Sequence, residues 1–461
     1  MNLSGISKPL EYPMKLSLTP RILRPGDRVD LAFTVKDPKT SHPVSRSEPV
    51  HEKLLHMFIV SQDLSFFVHE HLSPASNGRF HYQGPLPKSG IYRVLADYYS
   101  NNGTPQSAVK TIFVPGTKLE VPELTPDLVP KRSTNLEVEL RTEPAEPIAG
   151  RQTMLFFRLK PSDGLDQYLE TGGHMLAASD DLIDLIHTCP FLGNGGPQVQ
   201  FNVIFPRARA YRLWVQFQRK GVVNTAVFTL PVSAQEFHGS RNCAVGASCT
   251  WVAGAHDGIT TQVTYSREIS RLMYNRCVMC HRKGGRMFSM MTFEEARHWA
   301  EGIMEEVLAR RMPPWGAIRG FGEFQNDRSL TQKQIELIAD WVEGGTPEGD
   351  PKYLTQPPEF AAAPVLALPS GNSVRDGFIL KKAVILLGIR SGEIWQGRSL
   401  TAVAERPDGS VEPLIWLYDY KPWFAHPYWY SSPIRLPAGT RIVISPADAG
   451  ELVLLTKRAR K

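Results

Sequence analysis

The run Cys277-Val278-Met279-Cys280-His281 has the C-x-x-C-H spacing that attaches a c-type haem. Two thiols at that separation can form thioethers to the haem vinyl groups. The adjacent imidazole then sits under the iron as an axial ligand. A redox dithiol and half of a zinc site are the competing readings. The first calls for a surrounding βαβ pattern, which the flanks lack. The second needs another ligand pair downstream, where His298 stands alone for a long stretch and no cysteine follows.

A second set of chemistry-bearing residues recurs. His69 and His71 are two apart on a strand-like run and therefore share a face. A turn centred on Gln62-Asp63 would set His56 opposite His69, with Cβ atoms about 5 Å apart. Three imidazoles would then converge, a ligand set suited to copper or zinc. The same positions recur 118 residues on as His174, His187 and Cys189, a His2Cys set. His51 and His81 are further candidates. The plainer reading is hydrogen-bonded strand histidines copied by duplication, with Cys189 a small buried hydrophobe.

Elements must position these groups. Tyr265 to Arg276 reads as a helix that delivers the haem motif at its end, with Ile269, Leu272 and Met273 on one face. Thr292 and Glu295 form a capping box opening a second helix that runs to about Arg311. Thr331 and Gln334 open a third, closed by Gly344-Gly345. Between the last two lies Arg310-Arg311-Met312-Pro313-Pro314-Trp315. A methionine opposite the histidine raises haem potential, and two prolines would hold Met312 in one place. Met279, Met287, Met290, Met291 and Met304 compete for that role.

Residues 263–350 thus resemble the cytochrome c domain of large multidomain bacterial c-type cytochromes, with Cys277, Cys280, His281 and Met312 at the matching positions. The resemblance implies electron transfer by one covalent haem c. The hairpin Leu55 to Pro74 resembles presumed copper-binding sandwich domains of bacterial envelope proteins at His56, His69 and His71. Repeat two departs from that pattern at Cys189.

An internal repeat organises the first half. Pro20, Gly26, Leu31, Phe33 and Lys36 match Pro144, Gly150, Leu155, Phe157 and Lys160. Ser61, Asp63 and Leu64 match Ser179, Asp181 and Leu182, and Tyr92-Arg93 matches Tyr211-Arg212. Short β-rich runs between regular turn signals predict two β-sandwiches. The expected fold is multidomain: β-sandwich repeats over 13–117 and 131–235, an all-α cytochrome c domain over 263–350, and a β-rich, jelly-roll-like domain over 366–458. The last weakly resembles the C-terminal half of copper monooxygenases. It holds one histidine, His426, and no methionine, so it lacks the ligands for that catalytic copper.

Composition sets outer limits. The chain has 461 residues and a net charge of +6 without a block of like charge, which gives no nucleic-acid signal. No apolar run is long enough for a transmembrane segment. Met1 to Met14 lacks the apolar core of a secretory leader, which conflicts with haem attachment outside the cytoplasm and points to a trimmed or mis-started N-terminus. Cys243 and Cys249 in a Gly/Ala/Ser loop fit a disulfide, and free thiols are the alternative. The expectation is a periplasmic or otherwise extracytoplasmic monohaem c-type cytochrome. It would pass single electrons to redox partner proteins of the cell envelope and bind copper in its sandwiches. A haem-fed copper redox enzyme and a haem-bearing structural subunit of an envelope complex are the alternatives.

Overall fold

In the computed structural model, residues 12–458 are described except 39, 41, 44–54, 76–77, 100–104, 117–122, 170, 192–195, 235–260, 326 and 361–370. The described chain is mostly β. Its strands form six sheets, which pair into three sandwiches.

Repeat one contains β1 (Met14–Thr19), β2 (Arg28–Val35), β3 (Leu55–Ser61), β4 (Phe67–Leu72), β5 (Phe80–Pro85), β6 (Gly90–Tyr99) and β7 (Pro105–Val114). They form sheets ordered β1-β2-β5 and β4-β3-β6-β7, all antiparallel. Repeat two contains β8 (Lys131–Arg132), β9 (Glu137–Glu143), β10 (Gln152–Lys160), β11 (Leu165–Asp166), β12 (His174–Ser179), β13 (Leu185–Thr188), β14 (Gln198–Ile204), β15 (Ala210–Arg219) and β16 (Val222–Pro231). Its sheets are β14-β10-β9-β8 and β11-β15-β12-β13, with β16 beside β15.

Alternation along the central strands explains how the repeats meet. Met57 and Ile59 point into the core of repeat one, and Met175 and Ala177 into that of repeat two. Their neighbours Phe58, Val60, Leu176 and Ala178 point outward, yet all are buried, in one cluster that also holds Leu64, Leu182 and Trp214. The four-stranded sheet of repeat one and the five-stranded sheet of repeat two therefore pack on each other. A strand apolar on both faces is buried on both, and these strands carry that signal.

The hairpin turns have a common lock. Ser61 donates to Asp63, as Ser179 does to Asp181, and Leu64 and Leu182 take the left-handed conformation at φ 55° and 58°. In repeat one Asp63 also accepts from Ser65 and from Lys88. The turn spans Gln62 to Ser65 and is centred on Asp63-Leu64, one residue later than expected. The register becomes His56 opposite His71 and Phe58 opposite His69. A shift of two residues leaves every side chain on its expected face.

The expected all-α cytochrome c domain over 263–350 is not present. That segment holds one π-helical turn, Tyr265–Ile269, and four short helices: α1 (Ser270–Arg276), α2 (Phe293–His298), α3 (Ala300–Leu308) and α4 (Gln332–Glu343). Both capping boxes form, but the long second helix breaks at Trp299 into α2 and α3. The helices' core is not closed off from its neighbours, because Ile204 of repeat two joins their cluster. The loop after α3 leaves the helices and enters the third sandwich, where Trp315 and Ala317 are core residues. Ala317 and Phe324 even pair with that domain's strands, at Leu417 and Tyr430. The segment is a helical connector shared between its neighbours.

The third sandwich contains β17 (Asn372–Val374), β18 (Phe378–Ile379), β19 (Val384–Ile394), β20 (Leu400–Glu405), β21 (Val411–Leu417), β22 (Tyr428–Leu436), β23 (Arg441–Ser445) and β24 (Gly450–Arg458). Its sheets run β17-β24-β19-β22 and β18-β23-β20-β21. Among the described residues, no helix is long and apolar enough to cross a membrane.

Candidate metal centre

The repeats were expected to carry one ligand set each. Packing instead joins the sets. His56 and His174 open equivalent strands on the outward face and meet at the edge of the interdomain cluster, with ring centroids 5.5 Å apart. His187 lies 5.5 Å from His56, and His69 lies 5.2 Å from His174. His71 stands 3.8 Å from His56 and 5.5 Å from His174. Five imidazoles from two domains thus share one site.

Two overlapping triads, His56–His69–His71 and His56–His174–His187, have ligand atoms within 4.8 Å of one another. The Nε2 atoms of His69 and His71 are 3.1 Å apart. Two nitrogens bound tetrahedrally at about 2.0 Å would be separated by about 3.3 Å, so this pair is nearly at ligand spacing already. His56 Nδ1 and His187 Nε2 are buried with no hydrogen-bond partner. An unsatisfied buried polar atom costs about 1–3 kcal/mol, and an ion between these rings would supply what both lack.

The surroundings fix ring orientation. His69 Nδ1 lies 2.6 Å from Gln216 Oε1, and His187 Nδ1 lies 2.7 Å from Asp97 Oδ2. The Phe58 ring stacks on His69 at 4.2 Å. Tyr168 closes one side, edge-on to His174 at 5.4 Å. Thr171 Oγ1 is 3.3 Å from His174 Nε2.

Electrostatics favour neutral, ligand-ready rings. Burial, then the neighbouring histidines, lowers His56 and His174 to about 2. Burial lowers His69 to about 3, and burial with His187 lowers His71 to about 4. His187 differs. Burial pulls it down, but the hydrogen bond and charge of Asp97 outweigh burial and raise it to about 9. Cys189 is exposed at the rim, its Sγ 3.8 Å from His174 Nδ1. His81 is away from the centre, paired with Asp30 on an exposed surface. His51, Cys243 and Cys249 lie outside the described residues.

Cys277 caps α1, and its carbonyl accepts from the amides of Cys280 and His281. Both thiols are free, and burial pushes the Cys277 thiol up to about 12. His281 is buried, with Nδ1 3.2 Å from the Phe288 carbonyl, which leaves Nε2 as the ring's ligand atom. Met279, Met287, Phe288 and Trp299 are large apolar side chains left exposed beside the motif. Phe288 stands 4.7 Å from the His281 ring and stacks on Trp299. The exposed apolar side chains beside His281 suit a planar apolar group, while Cys277 packs against the helical cluster. Met312 lines a different space, a cavity of ≈ 30 Å³ with Val307, Trp315, Leu330 and Ile335, which includes none of the attachment residues. Met290 and Met304 are buried in the helical cluster.

Sequence reasoning missed Asp97, Gln216, Tyr168 and Thr171. A signal existed for the first two. Counting from the Tyr92–Tyr211 match, Asp97 and Gln216 occupy equivalent positions, and each pairs across its sheet with the first histidine of its ligand set, His56 or His174.

Residues 11–114 and 131–234 each match the model of a domain of unknown function, DUF8832. That match replaces the expected kinship with multidomain bacterial c-type cytochromes: it covers the repeats and leaves 263–350 outside. The search among curated proteins finds no match to this chain. Among solved structures, a bacterial ice-binding adhesin matches at 13% identity, over 49% of this chain and 65% of that one, with a TM-score of 0.16. The Escherichia coli adhesin FdeC matches at 15% identity over 48% and 64%, with a TM-score of 0.17. This chain spans less than two thirds of either, and such scores carry no functional argument. Residues 11–114 and 131–234 thus lie over two β-sandwiches that are each similar to that domain, and a histidine cluster stands between them.

Proposed function

We propose that this chain is an extracytoplasmic redox metalloprotein that binds copper between its two N-terminal sandwiches. The convergence of five imidazoles, with two buried ring nitrogens left unpaired, carries the reading. Four of the rings are held neutral, so their lone pairs are free at neutral pH. An all-imidazole set suits copper, and the nearby Cys189 thiol adds a soft donor.

In the same proposal Cys277, Cys280 and His281 Nε2 would hold a covalent haem. Bound there, the haem supplies one-electron chemistry. The chain's own residues do the rest. Phe288 fixes the His281 ring through its carbonyl, and Met279, Met287 and Trp299 offer apolar cover. The protein would then pass single electrons among redox partners of the cell envelope.

The test is metal and haem content. The full chain is secreted with a supplied leader in a host with c-type maturation machinery. Elemental analysis of the purified protein should find copper, and a pyridine haemochrome spectrum should show a c-type haem that survives acid-acetone extraction. Protein that takes up neither copper nor haem would reject the proposal.

A further inference from the structure

The hydrogen bonds behind the metal ligands cross the domain boundary in both directions. Asp97 lies on β6 of repeat one, yet its Oδ2 is 2.7 Å from Nδ1 of His187 in repeat two. Gln216 lies on β15 of repeat two, yet its Oε1 is 2.6 Å from Nδ1 of His69 in repeat one. The positions are equivalent: Asp97 pairs with His56 as Gln216 pairs with His174. The Gln216 amide is oriented by its own Nε2, which donates to Thr225 Oγ1 at 3.0 Å. Its oxygen therefore faces His69, whose Nδ1 must be the donor. In each histidine the Nδ1–H is thus occupied and Nε2 is the atom aimed at a ligand, in His187 by giving up its proton when a metal binds. The positions of those atoms agree. His69 Nε2 meets His71 Nε2 at 3.1 Å, and His187 Nε2 is buried without a partner.

Building on the copper reading above, we infer that Asp97 and Gln216 are reciprocal positioning residues, each orienting a metal ligand that belongs to the other repeat. His56, His69 and His71 of repeat one already group at ligand spacing, and His174 and His187 bring repeat two into the same cluster. Its two halves also differ in donor strength, because a carboxylate backs His187 and a neutral amide backs His69. A carboxylate behind an imidazole makes the ring a stronger donor, so the His187 half holds the ion more tightly.

The experiment titrates Cu(II) into the full chain against a competing chelator and records the EPR spectrum at saturation. Wild type, Asp97→Asn, Gln216→Glu and His187→Ala are compared, with the melting temperature of each apo-protein as a folding control. Asp97→Asn should bind copper about 10–100-fold more weakly and change the copper hyperfine splitting. Gln216→Glu should bind more tightly and shift the spectrum too. A merely structural role would move the melting temperature and leave the spectrum of the bound ion alone. If Asp97→Asn keeps wild-type affinity and spectrum while His187→Ala loses binding, the positioning role is wrong and the copper site stands. If Asp97→Asn does not fold, Gln216→Glu decides, and an unchanged affinity and spectrum there overturns the inference. Wild-type protein that binds no copper removes the site itself, and the inference with it.

Discussion

His56 belongs to both ligand triads, so its loss should do more damage than that of any other ring. His56→Ala should weaken copper binding by more than about 100-fold in a chelator competition, the upper end expected even for residues that only support a ligand. His81→Ala should leave it unchanged, since His81 faces Asp30 on an exposed surface. Cys277→Ala should abolish the acid-stable haemochrome signal. The ligand residues themselves were legible in the sequence, because the His-x-His of repeat one returns at a constant offset as His187-x-Cys189, a pattern one strand can carry. That the two sets share one site was not. It depends on outward-facing Phe58, Val60, Leu176 and Ala178, whose burial is decided by the neighbouring domain.

At the scale of elements, the hairpin turn shows how local chemistry sets register. Asp181 holds the turn of β12–β13 and also accepts from Arg207. Burial raises its carboxyl, but the Arg207 hydrogen bond and charge win and hold it at about 2, below the ordinary 3.8. A depressed carboxyl stabilises the fold fully above its unfolded value and loses that contribution as pH falls through the folded one. Stability should therefore fall by about 2 kcal/mol between pH 4 and pH 2 on account of this group. Asp181→Asn should flatten that part of the urea-midpoint profile. The sequence showed Ser61-x-Asp63 and Ser179-x-Asp181 as repeat landmarks. Their role as turn locks was hidden, because a four-residue turn with a left-handed leucine has no glycine to announce it. The helices were legible through their capping boxes. The break at Trp299 was not, since the apolar spacing continues across it.

At the scale of the whole molecule, a buried ionic cluster ties three parts together. Asp184 of repeat two is fully buried and accepts from Arg207, from Tyr211 and from Arg310 of the helical connector. Arg207 reaches on to the Tyr418 hydroxyl of the third sandwich. Removing the carboxylate takes one partner from Arg207, which keeps Asp181, and the carboxylate partner from Arg310, so Asp184→Ala should destabilise the chain by about 3 kcal/mol in urea unfolding. The same sharing overturns the expected independent cytochrome domain. A fragment of residues 261–350 lacks Ile204 and the sheets that receive Trp315 and Ala317. It should show no cooperative thermal transition by circular dichroism, and a sharp one would restore an autonomous domain. Sequence periodicity showed helices there, but which core they serve is a long-range property that periodicity does not encode. The central claim is that both repeats bind one copper centre together. Pulsed EPR of the Cu(II)-loaded full chain tests it most directly. Imidazole nitrogen couplings should weaken in His69→Ala and in His174→Ala alike. Couplings that respond to ligands of one repeat only, or that are absent, would contradict a shared centre.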